Sequence, residues 1–163
     1  MIIRPASADD IPFMMHLERT CPSAAHWSEL QYRQLFEGSR SGSERLILVI
    51  RAKPAATVDS STEDDREPLL GFLVAHRVVS DWELENIVVS AAARRKGLGL
   101  QLLNAMLTRA EETNGASVFL EVRESNTAAR SLYQRAGFGE GGRRKSYYTN
   151  PDEDAILYSW TPC

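Results

Sequence analysis

The stretch ARRKGLGLQLL, residues 93–103, joins a strand-like run to a helix-like run and decides the fold. Residues 86–89, NIVV, precede it and have the apolar, β-branched character of a buried strand. Apolar residues then recur at helical spacing, at Leu98, Leu102, Met106 and Ala110, until Asn-Gly at 114–115 ends the pattern. The sequence therefore predicts a strand, a turn with two glycines and a helix, in that order.

The turn between these two predicted elements is suited to an anion. The first N–H groups of a helix have no acceptor within the helix, and the aligned peptide dipoles leave a partial positive charge there. Gly97 and Gly99 would let the backbone approach a phosphate where a Cβ would clash. The alternative is a glycine-rich turn at a flexible helix start, in which Arg94, Arg95 and Lys96 are ordinary surface charges.

Two common phosphate-binding motifs do not fit the chain. The P-loop pattern GxxxxGK[ST] is absent, and Leu102 stands where a dinucleotide-binding fingerprint needs its third glycine. A literal GxGxxG match at Gly137, Gly139 and Gly142 follows a helix-like segment and leads into RRKSYY. We interpret that match as coincidence, because the motif needs a strand before it and a helix after it.

The rest of the chain alternates strand-like and helix-like segments. Capping-box signatures at Ser7–Asp10 and Ser28–Gln31 predict the starts of two helices before the central strands. The predicted order is β-α-α-β-β-β-α-β-α-β-β, which is a mixed α/β class around one central sheet in a single domain, 1–163. Residues 52–68 are rich in Pro, Ser, Thr and acidic side chains, so they predict a flexible acidic loop inserted between two paired strands.

Composition narrows the class of protein. A chain of 163 residues with 43% hydrophobic residues can form one domain with a substantial core. A net charge of −3 does not suggest direct binding to nucleic acid, and no apolar run reaches the ~18 residues needed to cross a membrane. The N-terminus has no secretory pattern, and Cys21 and Cys163 have no metal or redox spacing, so we expect a cytoplasmic protein with free thiols. The three histidines show no ligand spacing, and no metal site is predicted.

A second informative segment is FLEVRESNTAARSLYQRAGF, residues 119–138. Together with R-x-x-G-x-G at 94–99, it resembles the RimI-type protein N-terminal acetyltransferases of the GNAT superfamily, where LEVR, SN and LYxxxGF follow one another. WSE at 27–29, RRKSYY at 143–148 and EDAI at 153–156 agree, so the resemblance spans nearly the whole chain. It implies the GNAT fold, a splayed, mostly antiparallel sheet flanked by about four helices, and acetyl-CoA as cosubstrate. The loop at 52–68 is longer than is usual in that family.

Acetyl transfer from a thioester to an amine requires a base for the amine and benefits from an acid for the leaving thiolate. Strand alternation places Glu121 on one face with Phe119 and Arg123, where it could act as the base, and the resemblance implies that role. The alternative is a solvent-facing carboxylate paired with Arg123. Glu85 is a rival base or a polar wall of the substrate cleft, and alternation places it on the face of Ile87 and Val89.

Tyr133 is the candidate acid, although an aromatic at helical spacing is usually part of a core. The resemblance makes it the proton donor to the coenzyme A thiolate. Asn126 is predicted to cap the helix that carries Tyr133, and the resemblance implies that it also contacts the cofactor.

The resemblance also implies a set of cofactor-binding residues. These are Ile87, Val88, Val89, Arg94, Arg95, Lys96, Gly97, Leu98, Gly99, Leu100 and Asn126. Trp27, Tyr147 and Tyr148 are expected to line the acceptor channel or to serve as hydrophobic anchors.

The expected function is acetylation of a protein N-terminal α-amine, with a ribosomal protein as the acceptor in the family's namesake. An α-amine has a pKa near ~8, so a base removes its proton more readily than that of a lysine amine, whose pKa is near ~10.4. Two alternatives stay open: an acetyltransferase for a small-molecule amine or a lysine, and a non-catalytic acyl-CoA sensor. A monomer or weak dimer is expected, with no membrane partner.

Overall fold

The computed structural model describes residues 1–38, 43–53, 68–114 and 116–163. The predicted acidic loop falls largely on residues 54–67, which lie outside the described residues. The strands are β1 (Ile2–Pro5), β2 (Arg45–Arg51), β3 (Leu69–Val78), β4 (Asp81–Val89), β5 (Val118–Arg123), β6 (Gly139–Tyr148) and β7 (Glu153–Trp160). The helices are α1 (Ile11–Arg19), α2 (Glu29–Phe36), α3 (Leu98–Glu112) and α4 (Thr127–Arg135).

The observed order of elements confirms the predicted order, and the mixed α/β class with it. The seven strands form one sheet in the order β1-β2-β3-β4-β5-β7-β6. Each neighbouring pair is antiparallel except β4 and β5, which run parallel. Within the described ranges, no helix is long and apolar enough to cross a membrane.

Two apolar clusters cover the two faces of the sheet. On one face, Ile11, Met14 and Leu17 of α1 pack with buried residues of α2, β2 and β3. On the other face, Leu98, Leu102 and Met106 of α3 pack against β2–β5 and β7. We call these the α1/α2 face and the α3 face.

The predicted caps are present and fix where the helices begin. Ser28 accepts a hydrogen bond from the Gln31 N–H, and the Gln31 side chain accepts one from the Ser28 N–H, which is the reciprocal box predicted for α2. Asn126 accepts a hydrogen bond from the Ala129 N–H at the start of α4. The Ser7–Asp10 signature lies one turn earlier than a helix start, because residues 8–10 form a 3-10 turn before α1.

Candidate functional site

The sheet divides between β4 and β5. These two strands pair only at Trp82↔Val118 and Glu83↔Phe119. Beyond Glu83, β4 remains paired with β3 and β5 remains paired with β7, but the two strands no longer pair with each other. Residues 84–89 therefore present an open strand edge, on which alternate backbone N–H and C=O groups can bind an extended ligand. The predicted cofactor residues 87–89 lie on this edge.

A β-bulge at Glu85 changes which side chains share a face of β4. The register passes from Val74↔Asn86 to Ala75↔Leu84, so Glu85 is an extra residue on its strand. Leu84 and Ile87, three residues apart, both pack toward the α3 face.

The prediction that Glu85 shares the face of Ile87 and Val89 is therefore wrong. The Glu85 carboxylate lies on the α1/α2 face, 2.8 Å from Nη1 of Arg45 and 3.2 Å from Nδ1 of His76. Strict alternation failed here because a bulge inserts one residue without leaving a sign in the hydrophobic pattern.

The turn before α3 has the geometry of an anion-binding site. Residues 94–97 are exposed, and both Arg95 (φ 61°) and Gly97 (φ 77°) have left-handed backbone conformations. The first intrahelical bond runs from the Gln101 N–H to the Gly97 carbonyl. Among the described residues, no backbone acceptor is found for the N–H groups of 95–100. This set includes the predicted cofactor residues Leu98 and Leu100.

Glycine is required at the two positions of the turn for different structural reasons. Gly97 is needed for its positive φ, since a Cβ there would meet nothing within 4 Å. Gly99 is buried, and a Cβ there would lie 2.9 Å from Cδ2 of Leu132 on α4. Gly99 therefore allows α3 and α4 to pack closely, independently of any phosphate.

The three basic residues of the turn are placed differently. Arg94 donates from Nε to the Val89 carbonyl (3.3 Å), and its Nη2 lies 3.5 Å from Sγ of Cys21. This guanidinium therefore ties the end of β4 to the start of the α1–α2 loop, residues 20–28. Arg95 and Lys96 are exposed beside the open N–H groups.

Glu121 lies on the exposed half of the α1/α2 face, as alternation predicts. Its carboxylate is 2.9 Å from Nε of Arg144 on β6, and its side chain is 23% exposed. A hydrogen bond with Glu121, and then the charge of Glu121, raise the pKa of the Tyr147 phenol. The Arg144 guanidinium therefore faces the carboxylate directly, and the Tyr147 phenol interacts with it electrostatically. Arg144 is a partner that the sequence analysis missed, because it depends on how β6 pairs across β7.

Arg123 is not the partner of Glu121. Its Nη1 donates to the Pro151 carbonyl and lies 3.3 Å from the Glu153 carboxylate, while its Nη2 donates to the Thr149 carbonyl. Its guanidinium carbon also lies 4.3 Å from the ring centroid of Tyr148. Arg123 therefore holds the β6–β7 loop and the Tyr148 ring against the end of β5.

Tyr133 is a buried residue of α4 that packs between two aromatic rings. Its ring centroid lies 5.9 Å from that of Phe138 and 6.0 Å from that of Tyr158. Burial, and then the charge of Tyr148, raise the pKa of Tyr133 well above its usual range, so the phenol is protonated and can donate a hydrogen bond. Asn126 fixes the start of the helix that carries it.

Tyr148 connects the two candidate catalytic residues. Burial raises the pKa of Tyr148 first, and the charges of Glu121 and Tyr147 raise it further. Tyr148 in turn contributes to the raised pKa of Tyr133. Tyr148 therefore interacts electrostatically with both Glu121 and Tyr133, and its ring centroid lies 5.1 Å from that of Tyr147.

Trp27 lies on the α1–α2 loop and belongs to a buried polar cluster that the sequence analysis missed. Its backbone N–H donates to Oε2 of Glu18 (3.0 Å), and Nδ2 of Asn86 donates to Oε1 of the same carboxylate (2.8 Å). Glu18 is only 2% exposed. A signal was available, because Glu18 follows Ile11 and Met14 by seven and four residues, on the apolar stripe of α1.

The described residues contain no group of three or more His, Cys, Asp or Glu side chains placed to hold a metal ion. Both cysteines are free thiols; Cys21 is buried and Cys163 is exposed.

Comparison with known proteins agrees with this arrangement. Residues 11–138 match the model of the acetyltransferase (GNAT) family. The chain is 38% identical over 150 residues to the ribosomal protein bS18-alanine N-acetyltransferase of Escherichia coli K12, covering 91% of this chain and 88% of that enzyme. The crystal structure of the Escherichia coli ribosomal-protein-S18-alanine N-acetyltransferase aligns with a TM-score of 0.73 at 28% identity, covering 98% of this chain and 92% of that one.

A more distant structure, Arabidopsis thaliana NAA60 in complex with acetyl-CoA, shares the fold with a TM-score of 0.79 at 17% identity, over 98% of this chain and 97% of that one. The open β4 edge, the turn at 94–100 and the match over residues 11–138 agree with one another. The chain therefore belongs to the GNAT family of acetyltransferases and is an N-acetyltransferase.

Proposed function

We propose that this enzyme transfers acetyl from acetyl-CoA to the N-terminal α-amine of a protein, and that the acceptor is a ribosomal protein with a small N-terminal residue such as Ala or Ser. The observation that carries the proposal is the open edge of β4 together with the Glu121 carboxylate, which lies 2.9 Å from Arg144, a residue whose guanidinium lies over the Tyr147 ring. The acceptor class is supported by the relative from Escherichia coli, whose name states acetylation of a ribosomal protein alanine.

The described residues fit acetyl-CoA at two places. The edge of β4 at residues 87–89, where Arg94 already donates to the Val89 carbonyl, offers its remaining backbone groups to the amide-bearing arm, as an added strand would. The unpaired N–H groups of residues 95–100 offer donors to the pyrophosphate, and the exposed Arg95 and Lys96 add positive charge. Asn126 uses its side-chain oxygen to cap α4, which leaves its amide nitrogen for the cofactor.

Glu121 is proposed as the base. The acceptor ammonium loses a proton to the carboxylate, and the neutral amine nitrogen then forms a bond to the thioester carbonyl carbon. The nitrogen loses its second proton as the carbon–sulfur bond breaks and the amide forms, and the coenzyme A sulfur gains one proton and leaves as the thiol, so the net release is the one proton that Glu121 took. An α-amine with a pKa near ~8 is partly neutral at physiological pH, so a carboxylate suffices to remove the remaining proton.

Tyr133 is proposed as the donor to the departing sulfur. Its raised pKa keeps the phenol protonated, and burial makes the phenolate costly. We therefore infer that hydrogen-bond donation to the developing thiolate is the larger part of its contribution, with the proton supplied to sulfur as the products separate.

Trp27, Tyr147 and Tyr148 are proposed to line the acceptor channel. Tyr147 is half exposed and stacks edge-on against Tyr148, with ring centroids 5.1 Å apart. Trp27 approaches from the α1–α2 loop on the same face of the sheet as Glu121. A terminal amine would enter between these two walls.

Release of coenzyme A thiol from acetyl-CoA tests the proposal with two peptides. The first has a free N-terminal Ala, and the second is the same peptide with its N-terminus blocked and one internal Lys added. Turnover of the first alone, lost in Glu121→Gln, is expected. Turnover of the second alone would reject the α-amine, and turnover of neither while acetyl-CoA binds would reject this acceptor class in favour of a small amine or a sensor.

A further inference from the structure

Glu18 is a buried carboxylate that no step of the proposed reaction uses. It lies in the last turn of α1, 2% exposed, and no cationic side chain lies within ion-pair distance of it among the described residues. A buried charge without a counterion is costly and persists only where hydrogen bonds satisfy it. Its position therefore calls for a reason beyond packing.

The two hydrogen bonds to Glu18 join two segments that are far apart in sequence. Asn86 lies on β4 directly after the bulge residue Glu85, next to the open edge at 87–89. Trp27 is the last residue before the cap of α2 and donates through its backbone N–H. Each carboxylate oxygen accepts one donor, so a single side chain spans the distance between the strand and the loop.

A third neighbour belongs to the same cluster. The Tyr32 hydroxyl is fully buried and has no hydrogen-bond partner among the described residues, and burial, followed by the Glu18 charge, raises the pKa of this phenol. The Tyr32 ring also packs edge-on against Trp27, with centroids 5.6 Å apart. The indole is therefore held on its ring side by Tyr32 and on its backbone side by Glu18.

The start of the α1–α2 loop is also attached to β4, at the C-terminal end of the strand. Arg94 bonds the Val89 carbonyl and reaches Sγ of Cys21, the second residue of the loop at 20–28. The loop is thus anchored to β4 near Asn86 and near Val89. These two points bracket the backbone that the proposed function assigns to the cofactor.

We propose that Glu18 is a positioning residue that sets the acceptor wall at Trp27 at a fixed distance from the cofactor edge of β4. The inference rests on the proposed function, in which Trp27 lines the acceptor channel and residues 87–89 bind acetyl-CoA. Glu18 touches neither substrate. It acts through Trp27 and Asn86, so its loss changes recognition of the acceptor more than binding of the cofactor.

Exchanging the Glu18 carboxylate and the Asn86 amide between the two positions tests this positioning role. In Glu18→Gln, neither hydrogen bond is made to a charged acceptor any longer, and the new amide nitrogen finds an acceptor only if the Asn86 amide turns to present its oxygen. In Asn86→Asp, two carboxylates face each other. The double variant Glu18→Gln/Asn86→Asp restores both bonds with the total charge unchanged. The amide introduced by Glu18→Gln accepts from the Trp27 N–H through its oxygen, and its nitrogen donates to the carboxylate introduced by Asn86→Asp.

The experiment measures KM for the free N-terminal Ala peptide, Kd for acetyl-CoA and the melting temperature in all three variants. Glu29→Gln, which removes an exposed carboxylate from α2, is the control. We expect a rise in acceptor KM of about tenfold in Glu18→Gln, the size of one lost hydrogen bond to a charged group, and a change of less than about twofold in acetyl-CoA Kd. The double variant should return to within about threefold of wild type.

A merely structural role would lower the melting temperature without this split between KM and Kd. An unchanged acceptor KM in folded Glu18→Gln, or a folded double variant that is no better than the single variants, would overturn the inference. If Glu18→Gln does not fold, the double variant decides alone, since it keeps both bonds. A folded double variant with an acceptor KM raised by about tenfold would then count against the role.

The outcome for Glu18 is separable from the outcome for the proposed function. If wild type acetylates neither peptide, the proposed acceptor is rejected, and hydrogen exchange at the Trp27 amide decides whether Glu18 holds the loop. We expect that amide to exchange about tenfold faster in Glu18→Gln than in wild type and to regain protection in the double variant. Equal exchange in wild type and Glu18→Gln would reject the tether.

Discussion

The Glu121 carboxylate on β5 and the Arg144 guanidinium on β6 lie 2.9 Å apart, although β7 separates their two strands in the sheet. Arg144 also stacks over Tyr147, with its guanidinium carbon 5.5 Å from the ring centroid. One cation therefore orients both the proposed base and a proposed wall of the acceptor channel. An incoming ammonium has to share or replace this cation at the carboxylate.

We predict that Arg144→Gln lowers kcat for the free N-terminal peptide by about three- to tenfold, because the carboxylate loses one orienting partner but keeps Tyr147. Arg143→Gln is the matched control, since Arg143 pairs with Glu124 and Asp154 instead. Steady-state kinetics of both variants beside Glu121→Gln would check this. An Arg144 variant as inactive as Glu121→Gln would show that Arg144 takes part in the chemistry.

Tyr133→Phe should lower kcat by about 100-fold and leave acetyl-CoA Kd nearly unchanged, because it removes one donor to the leaving sulfur. Stability should change by about 1 kcal/mol or less, since the ring still packs between Phe138 and Tyr158. Steady-state assays and isothermal titration separate these effects. The control is Tyr158→Phe, which removes a hydroxyl bonded to Arg130 on the same cluster. A similar loss in both variants would argue against a specific role of Tyr133.

Asp10 anchors the start of α1 through Arg4 and Arg51, whose guanidinium groups lie 2.8 Å from its oxygens. Burial by itself raises the pKa of Asp10, but hydrogen bonds from Arg4, Arg51 and the Ser7 N–H outweigh it and hold the pKa well below its usual range. We expect Asp10→Asn to cost about 3 kcal/mol at pH 7, because Arg4 and Arg51 lose the buried carboxylate that they share.

The lowered pKa of Asp10 determines how its contribution to the free energy of unfolding depends on pH. The folded state holds Asp10 ionised more strongly than the unfolded state, so its contribution is complete above the unfolded pKa near ~3.9 and is lost as pH falls below it. Urea unfolding at about pH 7 and about pH 3 should therefore show a smaller gap between wild type and Asp10→Asn at the lower pH. Asp9→Asn, at an exposed neighbour, should show no such gap at either pH.

Gly99→Ala should destabilise the fold through its contact with α4, because the new Cβ would lie 2.9 Å from Cδ2 of Leu132. Leu132→Val shortens that side chain and should recover part of the loss. Thermal unfolding of the two single variants and the double variant forms a thermodynamic cycle. Strict additivity would contradict the packing role, whereas a more stable double variant than the sum predicts would support it.

The sequence predicted those parts of the fold that depend on local rules. The alternation of β5 placed Glu121 correctly, and the caps at Ser28 and Asn126 lie where short-range side-chain chemistry puts them. The sequence also indicates the conformation at Gly97, because a positive φ there depends on the turn itself and not on distant strands. Such features need no knowledge of which strand lies beside which.

The missed features depend on contacts between distant segments. The bulge at Glu85 appears only when β3 and β4 are paired, and the Arg144 partner of Glu121 only when β6 is placed beyond β7. Gly99 was interpreted as a phosphate contact, but its observed neighbour is Leu132 on another helix. The charge of Glu18 conceals its burial, because a charged residue on a helix is normally solvent-facing.

The short pairing between β4 and β5 also bears on how the molecule holds together without its cosubstrate. The strands β1–β4 and the strands β5–β7 form two blocks that share two residue pairs and the side chains under α3. Amides near the division should be the first to exchange with solvent, and the two blocks should open as separate cooperative units. A ligand bound along the edge of β4 would couple these units. Amide hydrogen exchange would then slow in both halves of the sheet when the ligand is bound.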